Sequence, residues 1–291
     1  MDVRPADLSD TRSRARSLCM YLTRHETTTG PRWALDNQFL PESFSLGLLL
    51  QLPASALSGF LEAIPRGEAA TGALLPPLEA DHEVWACGVT YLRSREAREA
   101  ESTVRDVYAR VYDAKRPELF FKGLGWRAVG QGAPIRVRDD STWNVPEPEL
   151  TLVVNSGAEI VGYTVGNDVS SRDIEGENPL YLPQAKVYEA SCAVGPGIVL
   201  TGVESLRDLP VTLRLTRGGQ NVFENTIHTS QIKRPLEELV QYLCMEMPFP
   251  RGALLMTGTG IIPPHEFSMA RGDTVRITIG ELTLENPVAL R

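Results

Sequence analysis

Glu147, Glu149 and Asp168 stand at spacings that a β-hairpin brings together. The runs Val145 to Asn155 and Ile160 to Asp168 are rich in strand-forming residues, and the short turn Ser156-Gly157-Ala158-Glu159 separates them. That pattern signals a hairpin. With Gly157-Ala158 as a two-residue loop carrying Gly first, Ser156 faces Glu159. Counting along the ladder, Gly166 then faces Glu149, and Asp168 faces Glu147. Alternation puts Glu147 and Glu149 on one face, and Asp168 joins them there. Opposed side chains have Cβ atoms roughly 5 Å apart and opposed like charges repel, so acids placed this way require a cation. An all-carboxylate set suits a hard ion such as Mg²⁺, which keeps positions for water or substrate oxygens. The same letters also fit a solvated acidic loop followed by an ordinary turn Asp, and a one-residue slip sends Asp168 to the opposite face.

The elements around these acids read as mainly β, within an α+β chain. Val84 to Val89 has the texture of a buried strand. Val104, Val107, Tyr108, Val111 and Tyr112 recur at helical spacing, which predicts an amphipathic helix over about 94–114. Phe120-Phe121-Lys122-Gly123 is short and apolar, and Asp168 to Lys186 is polar, Gly- and Pro-punctuated, and reads as a loop crossing the site. Further strands are expected at Gly197–Leu200, Val211–Thr216, Val222–Ile227, Ala253–Met256 and Thr274–Ile279. Leu236, Leu239, Val240, Leu243 and Cys244 form one helical face, with Pro235 near the start. Upstream, Ser43 to Leu61 predicts a helix or two punctuated by Pro53, and Gly72 to Leu78 reads as a linker. Residues 1–79 are therefore expected to form a small N-terminal α+β domain, and residues 80–291 the catalytic one.

The chain of 291 residues has room for one large domain or two smaller ones, and 42% hydrophobic with 23% charged residues is ordinary for a globular core. A net charge of −8 argues against a general nucleic-acid or anionic-membrane binder. Cys19, Cys87, Cys192 and Cys244 are scattered without a C-x-x-C pair, so neither a disulfide framework nor a zinc ribbon is expected. No run approaches the roughly 20 apolar residues of a bilayer span, and the N-terminus lacks a secretory apolar region. These features predict a cytoplasmic protein with reduced thiols.

From Val84 to Gly260 the chain resembles the fumarylacetoacetate hydrolase superfamily. The resemblance rests on Pro146-Glu147-Pro148-Glu149-Leu150, the run Gly162 to Asp173, Gln184-Ala185-Lys186, Gly195-Pro196 and Thr257-Gly258-Thr259-Gly260. It implies a mixed β-sheet roll, a homodimer or homotetramer, and Mg²⁺ (or Mn²⁺) held by Glu147, Glu149 and Asp168, with the family lysine at Lys186. The loop Glu175 to Lys186, together with Pro117 to Lys122, is similar to the 2-keto-3-deoxy-D-arabinonate dehydratase branch, which also acts on the xylonate-derived epimer. Hydrolases of the superfamily carry a His and a Glu that activate water; the aligned positions here are Ser94 and Ala97.

The resemblance thus implies a small 2-keto acid substrate and elimination of water. A metal-stabilised enolate forms as the C3 proton leaves, the C4 hydroxyl departs with a general acid, and a 2-keto-3-deoxypentonate ends as 2-oxoglutarate semialdehyde. Lys186 is expected as base or proton shuttle, with a charge clamp as its other reading, because a lysine near a metal and other cations has its charged form disfavoured. Glu118 is expected as the acid for the leaving hydroxyl, or as a salt-bridge partner of Lys122 or Arg116. Thr259, between glycines that allow close backbone approach, is expected to hold the substrate carboxylate, with Thr90, Arg93, Gln184 and Lys122 as further substrate contacts. Acylpyruvate hydrolysis or oxaloacetate decarboxylation on the same metal site is the alternative activity. His25, His82, His228 and His265 are expected to be structural or exposed, and Cys87 inert.

Overall fold

A run of apolar residues such as Leu150 to Val154 makes sense as a strand covered on both faces, and the computed structural model, which describes residues 20–101 and 110–290, shows that arrangement. The large sheet contains β1 (Met20–Thr27), β2 (Gly30–Leu35), β3 (Gln38–Phe39), β4 (Leu74–Leu75), β5 (Glu83–Gly88), β6 (Glu118–Leu124), β9 (Pro148–Val154), β10 (Ile160–Asp168), β12 (Cys192–Leu200) and β15 (Ala253–Met256). Its order is β3-β2-β1-β12-β10-β9-β15-β5-β6, with β4 beside β1. The second sheet runs β14-β13-β16-β17-β7, from β7 (Ile135–Arg136), β13 (Pro210–Arg217), β14 (Gln220–His228), β16 (Thr274–Ile279) and β17 (Leu282–Ala289). A small ladder joins β8 (Asn144–Val145) to β11 (Ser170–Ser171). The fold is mixed and mostly strand, as expected.

The main core joins the sheets: Leu150, Leu152 and Val165 share it with Leu213, Ile277 and Leu284. Leu236, Leu239, Val240 and Leu243 of a helix at Leu236–Cys244 close it, the face anticipated from their spacing. The opposite face of the large sheet is covered by α1 (Leu46–Leu49) and α2 (Ala54–Ala63), whose Leu49, Leu57 and Leu61 pack with Val153, Val161 and Ile198. Burying these side chains is worth roughly 1.5–3 kcal/mol each. The N-terminal segment continues the large sheet, for β1 is hydrogen-bonded to β12. The expected boundary near residue 79 lies between β4 and β5. At that point the Glu79 carboxylate accepts from the Leu46 amide (2.7 Å), the Ser45 hydroxyl (3.0 Å) and Arg251 (2.7 Å), tying α1 to the turn before β15.

The acid-bearing hairpin has the predicted register but a different turn. Gly166 faces Glu149, and the Asp168 amide donates to the Glu147 carbonyl at 3.0 Å. The connection, however, spans Asn155 to Glu159, closed by the Asn155 amide donating to the Glu159 carbonyl at 3.0 Å, with Ala158 at φ +59° and the Asn155 side chain accepting from the Gly157 and Glu159 amides. Ile160 faces Val154, one step out of the predicted count, and a bulge between Ile160 and Gly162 restores it.

The helix expected over 94–114 starts at Leu92 and is described to Glu101 as α3; residues 110–113 are helical, while Val104, Val107 and Tyr108 lie outside the described residues, as does Cys19. Among the described residues, no helix is long and apolar enough to cross a membrane, and Cys87, Cys192 and Cys244 are free thiols.

Candidate active site

Glu149 is the second residue of β9 and Asp168 closes β10, so the open end of the hairpin delivers acids to one point, with Glu147 just ahead of β9. One oxygen from each of Glu147, Glu149 and Asp168 lies within 4.8 Å of the other two, and all three residues are buried. The Asn167 side chain fixes the approach by accepting from the Glu147 amide at 3.1 Å.

Cations from the segment after the hairpin and from β6 hold these acids. Arg172 Nε and Nη2 both reach Glu147 Oε1, at 3.1 and 2.9 Å. Lys186 Nζ lies between Glu147 Oε2 (2.6 Å) and Asp168 Oδ2 (2.9 Å). Lys122 Nζ, from β6, meets Asp168 Oδ1 at 2.6 Å and donates to the carbonyls of Val169 (3.1 Å) and Lys186 (2.5 Å). Glu149 accepts the Gly258 amide at 2.6 Å. Gly258 has φ +88°, and a Cβ there would fall 2.1 Å from Thr90 Oγ1, so only glycine brings that amide to Glu149. Burial first, then repulsion from Asp168 and Glu147, hold the Glu149 carboxyl well above the ordinary carboxylate value. A carboxyl raised in this way is one that a cation would bring down. Three buried oxygen donors converging at this distance therefore fit a hard divalent ion.

The cleft above this group is lined by Gly88, Val89, Ser94, Glu118, Glu175, Lys186 and Thr259 along with the three acids. The structure thus brings Lys186, Glu118 and Thr259 to the acids. Glu118 is half-buried on β6, and its Oε2 lies where a Cβ on Gly88 would come within 2.0 Å. Lys122 is buried behind the cleft, spent on Asp168 and two carbonyls. The Thr90 hydroxyl is turned to the Thr257 carbonyl at 2.6 Å, bracing the Gly258 turn. Arg93 is not brought to the cleft: its side chain is 67% exposed and faces Glu96. Gln184 is exposed as well, and its carbonyl accepts from Arg138 at 3.1 Å. None of the histidines is among the lining residues.

Asp168 to Lys186 is not the open loop that its polar letters predict. It contains β11, a helix α4 (Arg172–Glu177), a single helical turn at Pro179–Tyr181 and a helix α5 (Leu182–Lys186). Helices of six and five residues are too short to show a hydrophobic period. Among the lining residues that the sequence reading of the site left out, Glu175, Ser94 and Val89 stand out. Glu175 reads as one more polar letter. Ser94, 5% exposed, occupies the place where a histidine was looked for and not found. Val89 adopts φ +52°, an outlier for a β-branched residue that only surrounding structure can enforce. Cys87 also borders the cleft, where burial, then Glu149 and Glu118, push its thiol well above the usual value, so it is no nucleophile.

A second group of possible ligands, Glu79, Asp81 and His82, already has a cation, since Arg251 reaches Glu79 at 2.7 Å and Asp81 at 3.0 Å.

Comparison with known proteins agrees with this geometry. Residues 83–289 match the family model described as fumarylacetoacetate (FAA) hydrolase C-terminal. The chain is 50% identical over 214 residues to a probable 2-keto-3-deoxyxylonate dehydratase of Haloferax volcanii, covering 73% of each chain. It is 44% identical over 215 residues to a 2-dehydro-3-deoxy-D-arabinonate dehydratase of Saccharolobus solfataricus, covering 72% of each. Among solved structures, a 2-keto-3-deoxy-D-arabinonate dehydratase complexed with magnesium and 2,5-dioxopentanoate superposes with a TM-score of 0.78 at 36% identity, over 94% of this chain and 99% of that one.

Proposed function

This chain is an enzyme that belongs to the fumarylacetoacetate hydrolase family, and from that premise we propose that it dehydrates a 2-keto-3-deoxypentonate, derived from D-arabinonate or D-xylonate, to 2-oxoglutarate semialdehyde with a divalent metal. The observation that carries the reading is Lys186 Nζ, set between Glu147 and Asp168 at the edge of a three-carboxylate group that fits a hard cation. The relatives named as dehydratases, and the neighbour bound to magnesium and 2,5-dioxopentanoate, support it.

Glu147, Glu149 and Asp168 would hold the ion, for which Mg²⁺ or Mn²⁺ suits the oxygen donors. Bound there, the ion supplies Lewis-acid stabilisation of the charge that a 2-keto acid gains at its C2 oxygen when C3 loses a proton. Lys186, as the amine, takes that proton, and Glu147 and Asp168 hold the resulting ammonium. The C3–H electrons form the C3–C4 double bond, the C4–O bond breaks, and the oxygen leaves as water with a proton from Glu118. Transfer of a proton from C5 to C3 then leaves the C4–C5 enol, which becomes the aldehyde as the C5 hydroxyl proton moves to C4. Thr259, in the cleft wall, holds the substrate carboxylate. Lys122 and Arg172 are positioning residues that fix Asp168 and Glu147.

The test is product formation from 2-keto-3-deoxy-D-arabinonate and its xylonate-derived epimer, with Mg²⁺ or with chelator, coupled to a semialdehyde dehydrogenase. Mg²⁺-dependent semialdehyde is the expected result. Release of pyruvate from acylpyruvates or oxaloacetate, without any semialdehyde, would leave the metal site and refute the dehydration. The same reading makes the protein a cytoplasmic homodimer or homotetramer, which sedimentation of the purified chain and cell fractionation test.

A further inference from the structure

We infer that Arg138 is a positioning residue for Lys186, gripping from outside the cleft the short helix that carries the amine; the inference rests on the dehydratase reading above. α5 (Leu182–Lys186) has five residues, too few to hold a helical shape by itself. Ala185 and Lys186 are buried, whereas Pro183 and Gln184 are exposed and mark its outer side. The Lys186 carbonyl is held from within by Lys122 Nζ (2.5 Å) and the Ser191 hydroxyl (2.8 Å), and the Val187 amide closes the helix on the Pro183 carbonyl at 2.8 Å. The Gln184 carbonyl lies beyond these bonds and accepts from Arg138 Nη1 at 3.1 Å. Carbonyls left over at a helix C-terminus are well served by a cationic side chain of this kind.

The guanidinium is aimed at that carbonyl. Asp140 accepts from Nε and Nη2 at 2.7 and 2.6 Å, a two-point fork that fixes the guanidinium plane and leaves Nη1 for Gln184. The same group lies over the Tyr188 ring, its central carbon 5.7 Å from the centroid and within cation–π range. Arg138 therefore touches the residue two before Lys186 and the residue two after it. It does so without lining the cleft, for it borders a separate cavity together with Arg136, Asp140, Tyr188 and Glu189.

Stability does not account for this arrangement. The Asp140 side chain is 65% exposed, and an ion pair so open to water adds little to folding. What the fork does is fix an angle. Lys186 Nζ has to stand within hydrogen-bond reach of Glu147 Oε2 and Asp168 Oδ2 and meet the substrate carbon as well. A displacement of about 1 Å, produced by a residue remote from the chemistry, costs about a hundredfold in rate. Loosening Arg138 frees the outer side of α5 and lets the amine swing, while the buried bonds of Lys122 and Ser191 keep the chain folded.

The test is steady-state dehydration of 2-keto-3-deoxy-D-arabinonate and its xylonate-derived epimer by the full chain in saturating Mg²⁺. Arg138→Met lowers kcat by about ten- to a hundredfold and keeps KM, and the Mg²⁺ concentration for half activity, within about twofold. Its melting temperature falls by about 4 °C or less. Arg138→Lys, which keeps a donor for the Gln184 carbonyl and loses the fork, recovers part of the rate. Asp140→Asn lowers kcat in the same direction, and the double variant with Arg138→Met is no slower than Arg138→Met alone, because Asp140 acts through Arg138. Arg136→Met removes the neighbouring guanidinium from Glu189 in the same cavity and leaves kcat unchanged. Wild-type kcat in Arg138→Met overturns the inference. A loss matched in KM, Mg²⁺ dependence and melting temperature also overturns it, as that makes Arg138 a strut of the fold. Additive losses in the double variant, or an equal loss in Arg136→Met, do the same. Each of these results leaves wild-type turnover, and with it the dehydratase reading, standing. A wild-type protein that dehydrates neither pentonate removes that reading and the inference together.

Discussion

Replacing Lys122 by Met isolates the support behind the metal-fitting acids from the chemistry in front of them. Lys122 Nζ is buried, meets Asp168 Oδ1 at 2.6 Å, and donates to the carbonyls of Val169 and Lys186 at 3.1 and 2.5 Å. Met keeps the apolar stem and removes the charge. Stranding one partner of a buried ion pair costs about 3–5 kcal/mol, and the two carbonyls lose a donor at about 1–3 kcal/mol each if nothing replaces it. These terms overlap, and we expect a net loss of about 4–6 kcal/mol in EDTA, a large part of the roughly 5–15 kcal/mol that holds a folded protein. With a urea slope of about 3 kcal/mol/M, the midpoint falls by roughly 1.3–2 M. Saturating Mg²⁺ should shrink the loss, because a cation at the acids replaces the partner that Asp168 has lost and only the carbonyl part remains. Urea denaturation of both proteins, in EDTA and in Mg²⁺, reads all four states. A midpoint shift under about 0.3 M in EDTA, or a loss that Mg²⁺ leaves unchanged, would refute the account of Lys122 as the brace of Asp168.

Glu149→Gln removes a charge that burial and two neighbouring acids already disfavour, so thermal denaturation in EDTA should show unchanged or slightly raised stability. The gain of about 2.7 kcal/mol that the wild type draws from Mg²⁺ at about 100 times Kd should vanish; a Gln variant still stabilised by Mg²⁺ would remove Glu149 from the ligand set. Gly88→Ala puts a Cβ within 2.0 Å of Glu118 Oε2, a contact that the flexible end of Glu118 can escape by moving. Turnover should drop by about 10²–10⁴-fold, the usual worth of a general acid, with the melting temperature nearly kept. Wild-type turnover in this variant would dismiss Glu118 as the acid. Burial, against the opposing pull of Glu79 and Asp81, holds the His82 imidazole below its usual value. A base lowered in the folded state contributes stability that is present above its unfolded pKa of about 6.5 and is lost as pH falls through the folded value. Urea midpoints should therefore fall below that pH in the wild type and less steeply in His82→Gln; parallel curves would count against it.

The hairpin shows which parts of the site the sequence could reveal. The pairing of Glu149 with Gly166 came from counting through a two-residue turn that does not exist. The real turn is longer, and the bulge between Ile160 and Gly162 takes up the difference. The count succeeded because what strand pairing must satisfy is the net register, and two local errors of opposite sign left it unchanged. The turn itself was not legible, since β9 and β10 are buried on both faces, and a strand without polar alternation carries no mark of where an extra residue bulges out. Elements with a strong local signal were legible: the strands Ala253–Met256 and Thr274–Ile279 were placed to the residue, and the apolar face running from Leu236 to Cys244 marked its helix. The long-range pairing of β1 with β12 left no local trace, and the N-terminal residues read as a separate unit although their side chains share a core with Val153 and Ile198. Within the site, the acids were legible because their types and spacing are constrained together. Arg93 and Gln184 were not separable from true lining residues, because both lie next to segments that do reach the cleft and only side-chain direction removes them. Glu175 was missed for the converse reason. A lone Glu in a polar stretch resembles a surface residue until the six-residue helix that carries it is seen to bring it, buried, into the cleft lining, and a helix that short leaves no hydrophobic period in the sequence to announce it.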